Sequence, residues 1–501
     1  MAHPRRWWIL GVLCLALLVL SVDNMILTLA IPAFMRELRA SPADVQWILD
    51  AYILVFAGLL ITAGSLSDRY GRRRLLISGL AVLGGASLLA AFADQSWQLV
   101  ACRALMGAGA ALAMPSTMSI LIVVFDASER RKAMSIWGMV SMIGIVAGPT
   151  LGGLLLQHFW WGSVFLVNVP LAVLGIVGAH AVVPESRGPA RRADPLGVLL
   201  SIAGMGALVW AIVSVPHEGW SAPVAIALGA AVVALVVFVR WQSRTPHPML
   251  PPAIFRDRDF SGAAASVVLL VFSTAAVQLA LTQFLQLVLG YGAMTAALAF
   301  APLAVAVAVF NLVGATLAKR VSNKALIVAG MLVIAASQGI FALIGPGDGY
   351  PLLAAGLVVM GIGTGLATPS VFATLMGAIP PRHAGVGSAV SDTIQQGGMA
   401  LGVAALGSLL SAGYSAALPP GVPQAARTSL AEALGTAAET GSGDLAQAAR
   451  EAFLSSMSLV SAAAALLSVA GAVLALAVLR RRTPAHARDR RKKESLADAT
   501  P

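Results

Sequence analysis

Apolar stretches of about 20 residues recur along the whole chain, each the length a helix needs to cross about 30 Å of hydrocarbon. Short polar, charged or Pro-rich segments separate them. The pattern predicts fourteen membrane helices, at 8–33, 45–66, 74–93, 96–123, 132–156, 163–183, 195–214, 223–240, 261–289, 293–317, 325–344, 351–377, 385–412 and 453–479. The first run, from Trp7, exceeds a signal-peptide core, lacks a cleavage site and is followed by further spans, so it reads as a retained helix. Two longer polar crossings, "VVPESRGPARRADP" and "RTPHPMLPPAIFRDRDF", sort the runs into six, two and six. The predicted organisation is an all-α polytopic membrane protein: an N-terminal six-helix bundle (1–183), a linker with two extra helices (184–258), a C-terminal six-helix bundle (259–480) and a basic tail (481–501). The 413–450 segment outside the membrane is read as a loop with some helix and no assigned role.

Composition agrees with this pattern. The 501 residues are 58 % hydrophobic and 11 % charged, with a mean hydropathy of +0.85, whereas a soluble domain is about a quarter charged. The net charge of +11 reports topology. With the N-terminus inside, 28 of the 33 Lys and Arg fall in cytoplasmic segments. Only Arg36, Arg39, Arg427 and Arg450 lie outside, and Arg103 alone is intramembrane. That imbalance is the positive-inside signature and places both termini in the cytoplasm. The tail "RRRTPAHARDRRKK" reads as a solvated end touching anionic lipid, and no nucleic-acid partner is expected.

Enzymatic chemistry has no foothold. Cys14 and Cys102 sit in predicted helices and form no disulfide or metal framework. None of the seven His pairs with another at ligand spacing, and there is no nucleophile elbow or Walker-type phosphate loop. No metal, cofactor or catalytic residue is expected.

Asp23, Asp50 and Asp392 are the carboxylates predicted well inside the membrane. Each costs about 2.5–3.5 kcal/mol at mid-membrane even by low estimates, so each requires a partner, water or a function. A carboxylate drawn out of water exchanges a proton or a cation near neutral pH, the minimal chemistry of an antiporter. Asp392 has Gln395, Gln396 and Met399 spaced to share its helix face. Arg103 is as costly as the acids when unpaired and should face the bundle and pair. The alternative for all four is a helix-packing role, bonded to a neighbour. In "GSLSDRYGRRR", Asp68 can bond a helix N-terminus or an Arg, and Gly71 permits a tight turn. A degenerate copy, "ATLAKRVSNK" at 315–324, sits after the second helix of the later half and indicates duplication. In "GIVAGPTLGG", Gly144, Gly148 and Gly152 repeat on one face, with Gly153 beside them; Pro149 removes a helix hydrogen bond. A hinge or seal and plain close packing both fit. Met25, Trp137 and Met142 could add adaptable apolar walls and an aromatic face to a cation pocket.

Four motifs in order carry a family resemblance. "GSLSDRYGRRR" resembles the loop between helices 2 and 3 of the major facilitator superfamily. "RALMGAGAAL" from Arg103 resembles its helix-4 arginine motif, and "GIVAGPTLGGLL" the helix-5 motif of drug:proton antiporters. "VDNMILTLAIP" and "WGSVFLVNVP" resemble segments of the fourteen-helix branch, the QacA-type exporters of quaternary ammonium and other lipophilic cations. The resemblance spans residues 7 to 480. It implies the major facilitator fold and proton-coupled export of lipophilic cations by alternating access from the bacterial cytoplasmic (inner) membrane. It also implies that Asp23, Asp50, Asp392 and Arg103 couple proton to cargo. Gly64, Asp68, Arg69, Gly71, Arg72 and Arg73 become a conformational latch, and the helix-5 glycines a seal. The expected partners are small lipophilic cations, protons and membrane lipid, with the protein a monomer. Some relatives carry a further acid in helix 10, where "PLAVAVAVFN" is apolar apart from Asn311. Two other readings remain open: export of one endogenous antibiotic or metabolite, and a non-transporting membrane receptor or scaffold on the same fold.

Overall fold

The computed structural model describes the chain except for residues 1–3, 39, 189–193, 219–220, 246–247, 249–251, 319, 380–383 and 481–501. Lys319 of the degenerate copy and the basic tail therefore lie outside the described residues. Regular structure among the described residues is helical throughout. In chain order the helices are α1 (Arg6–Glu37), α2 (Pro42–Tyr70), α3 (Arg72–Ala91), α4 (Ser96–Val124), α5 (Ala127–His158), α6 (Ser163–Leu166), α7 (Asn168–Val182), α8 (Pro195–Glu218) and α9 (Ala222–Arg244). They continue with α10 (Arg258–Gln283), α11 (Ala293–Leu298), α12 (Ala301–Leu317), α13 (Asn323–Ala342), α14 (Tyr350–Gly377), α15 (Ala384–Ala417), α16 (Leu430–Thr440) and α17 (Gly443–Val478). Among the described residues 13 helical segments are long and apolar enough to cross a membrane, α6 counted with α7 and α11 with α12. Helix α5 occupies the place of the predicted fifth span.

Local chemistry sets the boundaries. Ser41 and Asp44 form a reciprocal capping box at the start of α2, with Pro42 in its first turn. Gly71, at φ +117°, ends α2 and begins α3 in one residue, a conformation that disfavours any side chain. Two predicted spans are interrupted: Val167 separates α6 from α7, and Ala299 with Phe300 separate α11 from α12. The 413–450 segment is more ordered than a loop. Helix α15 runs to Ala417, α16 fills Leu430–Thr440, and α17 begins at Gly443, ten residues before its predicted start. Tyr414 donates its hydroxyl hydrogen toward the Ala426 and Ser429 carbonyls, tying that segment down.

The chain divides into two compact units. The first comprises Met1–Phe260 with Leu375–Gly397; the second comprises Ser261–Thr374 with Gly398–Pro501. In the first, α4 packs on α2 and α3, α1 on α5 and α7, and α8 on both α9 and α2. In the second, α13 packs on α17, and α16 on α17.

Glycine-mediated packing exposes a second trace of duplication. "MGAGAALAMPS" (106–116) in α4 and "MGIGTGLATPS" (360–370) in α14 share seven of eleven residues. A Cβ on Gly109 would lie 2.7 Å from the Gly79 carbonyl of α3, and one on Gly363 the same distance from the Gly330 carbonyl of α13. Such backbone contact is open only to small residues. The position corresponding to Arg103 is Leu357, fully buried. The scaffold is repeated and the charge is not.

Candidate functional site

The chemistry concentrates in the first unit. Three close helix contacts bring its parts together. Gly107 of α4 lies against the Tyr52 carbonyl of α2, where a Cβ would clash, so α4 presses Arg103 onto α2 one turn away. Gly144 of α5 faces Ser21 of α1, a built Cβ falling 2.5 Å from that of Ser21, two residues before Asp23. The break at Val167 starts α7 at Asn168, whose amide points at Asp23.

Asp23 is 0 % exposed and Arg103 1 %. Arg103 Nη1 donates to Asp23 Oδ2 at 2.7 Å, and Asn168 Nδ2 donates to Asp23 Oδ1 at 2.7 Å. Arg103 Nε also donates to the Ile48 carbonyl at 3.2 Å, and the guanidinium lies 4.3 Å from the Tyr52 ring centroid. Asn168 Nδ2 reaches Ser87 Oγ of α3 at 3.3 Å. An ion pair this far from water persists only when its geometry is good and its remaining lone pairs and protons are bonded. Those conditions are largely met. The expectation that Arg103 pairs is fulfilled. Both oxygens of Asp23, expected to receive cargo, already hold protein donors, so the internal cation at this carboxylate is Arg103.

Asp392 has a different setting. It is 3 % exposed on α15; Gln395 Nε2 lies 3.5 Å from its Oδ1, and its Oδ2 has no hydrogen-bond partner among the described residues. It can take up a proton or a cation without first breaking an ion pair. Gln396 is half-buried, while Met399 is 44 % exposed and lies in the second unit, so Met399 does not share the buried surroundings of Asp392. Asp50 is half-buried on α2, between the residues that support Arg103. Trp137 is buried, and its indole N–H has no acceptor among the described residues. The side chains of Met25, Met142 and Pro149 lie outside the described residues. Helix α5 runs unbroken through Gly148 and Pro149, with Gly148 and Gly152 buried and Gly153 half-buried.

The Asp68 cluster is a built helix cap. Asp68 Oδ1 accepts from Arg72 Nη2 at 2.7 Å and from the Gly385 N–H at 3.0 Å, while its Oδ2 accepts from the Val386 N–H at 3.1 Å. Gly385 and Val386 open α15, so the carboxylate satisfies two of the orphan donors there and faces the positive end of the helix. Gly64 allows the approach, since a Cβ would strike Ala389 and the Gly385 carbonyl. Arg69 is exposed and lies over Tyr70. Arg73 belongs to a second contact: Glu185 Oε1 accepts its backbone N–H at 3.2 Å, capping α3. The Arg72 N–H donates to the Ser186 carbonyl and the Gly188 N–H to the Asp68 carbonyl, so the segment after α7 is strapped across the turn.

Sequence reasoning missed Asn168, Tyr52, Ser87 and Glu185. The first three are polar or aromatic residues inside apolar runs, and Asn168 stands in the quoted "WGSVFLVNVP". Scanning the spans for charges alone passed over it.

The profile of the Major Facilitator Superfamily matches residues 13–403. The chain belongs to the major facilitator superfamily. Its relatives within that superfamily include the multidrug efflux pump LfrA of Mycolicibacterium smegmatis, 36 % identical over 490 residues that cover 95 % of this chain and 97 % of the relative. The puromycin resistance protein pur8 of Streptomyces alboniger is 34 % identical, covering 83 % of each chain. Among solved superfamily structures, the human organic anion transporter TETRAN superposes with a TM-score of 0.60 at 14 % identity, covering 93 % of this chain and all of that one. The proton:xylose symporter XylE gives 0.59 at 13 % identity, covering 93 % and 95 %. The superfamily fold, multi-pass and all-α, is therefore that of this chain. Its membership places it among membrane transport proteins rather than enzymes.

Proposed function

We propose that the protein is a proton-coupled exporter of lipophilic cations, with fourteen spans arranged six, two and six and both termini cytoplasmic. Residues 1–183 and 259–480 act as the two bundles, 184–258 supply the extra helices, and the protein works as a monomer. The observation that carries the reading is the Asp23–Arg103 pair, a buried charge pair in a transport fold. Arginine keeps its proton, so the state of the pair is set by whether Asp23 is protonated. Protonation releases Arg103; loss of the proton draws it back. Asp392, with its open oxygen, and Asp50 are the acids that meet a cationic cargo. Asp68 with Gly64, Gly71 and Arg72 is the latch on α15, and the α5 glycines are the seal against α1.

Exchange of one monovalent cation for one proton moves no net charge and is driven by the pH gradient, about 1.36 kcal/mol per unit. A second proton would add about 2.3 kcal/mol per 100 mV of membrane potential. Everted vesicles should accumulate ethidium in a way that a proton uncoupler abolishes. Accumulation insensitive to the uncoupler would refute the reading. A narrower substrate range has its own support, since relatives are named for puromycin, methylenomycin A and tetracenomycin C resistance. Competition by one neutral antibiotic, with no transport of ethidium, would favour that version.

A further inference from the structure

Asn168 holds the one contact to Asp23 that the ion pair does not explain. Its amide nitrogen is fully used, donating to Asp23 Oδ1 and to Ser87 Oγ. Its own Oδ1 is buried and without a hydrogen-bond partner among the described residues, in a side chain 0 % exposed. A buried amide oxygen left unsatisfied is costly and calls for an explanation.

An amide has two faces, a double donor and an acceptor, exchanged by a half-turn about its last torsion. An ionised carboxylate offers only acceptors and requires the donor face, as observed. A protonated carboxyl carries an O–H and needs an acceptor. Once Arg103 has withdrawn, the idle oxygen of Asn168 is the acceptor already beside Asp23. The groups facing Asp23 among the described residues are Arg103 from α4, Asn168 from α7 and, through Asn168, Ser87 from α3. Helix α5 presents Gly144 to Ser21 of α1, the helix that carries Asp23, and α2 presents Tyr52 and the Ile48 carbonyl to the guanidinium, with Asp50 the titratable side chain on α2. Arg103 is thus the charged side chain, and Asn168 the neutral one, that the described residues bond directly to Asp23, and an amide can serve both of its protonation states.

We propose that Asn168 is a positioning residue for proton coupling, turning its amide from donor to acceptor as Asp23 gains its proton. The inference rests on the proton-coupled reading above. In the paired state the amide steadies the carboxylate; in the protonated state it holds the O–H and keeps Asp23 oriented while Arg103 is elsewhere. No bond other than the Asp23 O–H forms or breaks, and the proton comes from the medium.

The test separates driven from undriven flux in everted vesicles, with ethidium as the probe. Asn168→Leu has nearly the same shape and neither face. It should lower pH-gradient-driven accumulation by about tenfold or more, the worth of one hydrogen bond to a charged group, while labelled-for-unlabelled exchange stays within about twofold of the unaltered protein. Asn168→Asp keeps the shape and, with its own proton, can donate or accept. It should retain driven transport, with an altered pH profile. If Asn168→Leu pumps normally, or if both variants lose exchange and driven flux in parallel, Asn168 only fills space and the assignment falls. If Asn168→Leu fails to reach the membrane while Asn168→Asp pumps with an unaltered pH profile, it falls as well. Absence of uncoupler-sensitive transport in the unaltered protein would overturn the proposed function and this inference together; normal pumping by Asn168→Leu beside a coupled parent overturns the inference alone.

Discussion

Replacing Asp23 by Asn tests whether the buried pair is machinery or scaffold, because it separates charge from shape. The substitution leaves the volume unchanged but removes the negative charge opposite Arg103. The guanidinium then keeps the Ile48 carbonyl at 3.2 Å, the face of Tyr52 and a 4.0 Å contact to the Met106 sulfur, none of which is an anion. Orphaning one member of a buried pair costs about 3–5 kcal/mol. Asn can still accept one hydrogen bond, which puts the loss toward about 3 kcal/mol. Removing both charges, in Asp23→Asn with Arg103→Leu, leaves no orphan, and more than half of that loss should return as the positive coupling of a double-mutant cycle.

Transport should behave differently from stability. Neither the single nor the double variant retains the Asp23 carboxyl, whose protonation sets the state of the pair, so both should fail to drive ethidium against its gradient. Thermal unfolding of the purified protein in detergent, alongside vesicle transport, measures the two quantities independently. An unfolding temperature unchanged in Asp23→Asn would mean that Arg103 does not depend on this acid. Uncoupler-sensitive pumping by the double variant would make the pair structural and refute the coupling argument outright.

Asp68→Asn should weaken the cap on α15 by about 3 kcal/mol, since two N–H donors and Arg72 lose a charged acceptor. A cysteine at the buried Ser388 should then react faster with an impermeant maleimide, and an unchanged rate would dismiss the latch. Gly144→Ala should push α1 away near Asp23 and slow transport, and Ser21→Gly should restore it by vacating the space the new methyl needs; failure of that rescue would place the effect elsewhere. Asp392→Asn should abolish ethidium transport while shifting the unfolding temperature little, because no counter-charge among the described residues is orphaned. A large destabilisation there would reveal a structural role.

Span length and apolarity carried the helical architecture, because backbone groups in lipid have to be satisfied within each helix. The interruptions at Val167 and at Ala299–Phe300 were hidden by the same rule, since apolar runs continue through both. For the site, the positions of Asp23, Arg103 and Asp68 were legible because a charge inside an apolar run, or a short acidic-glycine spacing beside one, stands out. Their partners were not. Which acid meets Arg103 depends on Gly107 letting α4 touch the backbone of α2, and on Gly144 seating α1. Those are contacts between distant segments that no spacing encodes. The "MGxGxxLAxPS" repeat is visible in the chain, but its meaning lies in contacts: those of α14 with α12 and α13 parallel those of α4 with α2 and α3. That correspondence has a consequence for mechanism. The two halves keep the glycines that bring backbones together, while the first has Arg103 where the second has the buried Leu357. Among the described residues Asp23 takes its donors from α4 and α7; if a proton acts at Asp23, as proposed, it acts on a half of the repeat whose counterpart carries Leu357 where this one carries Arg103.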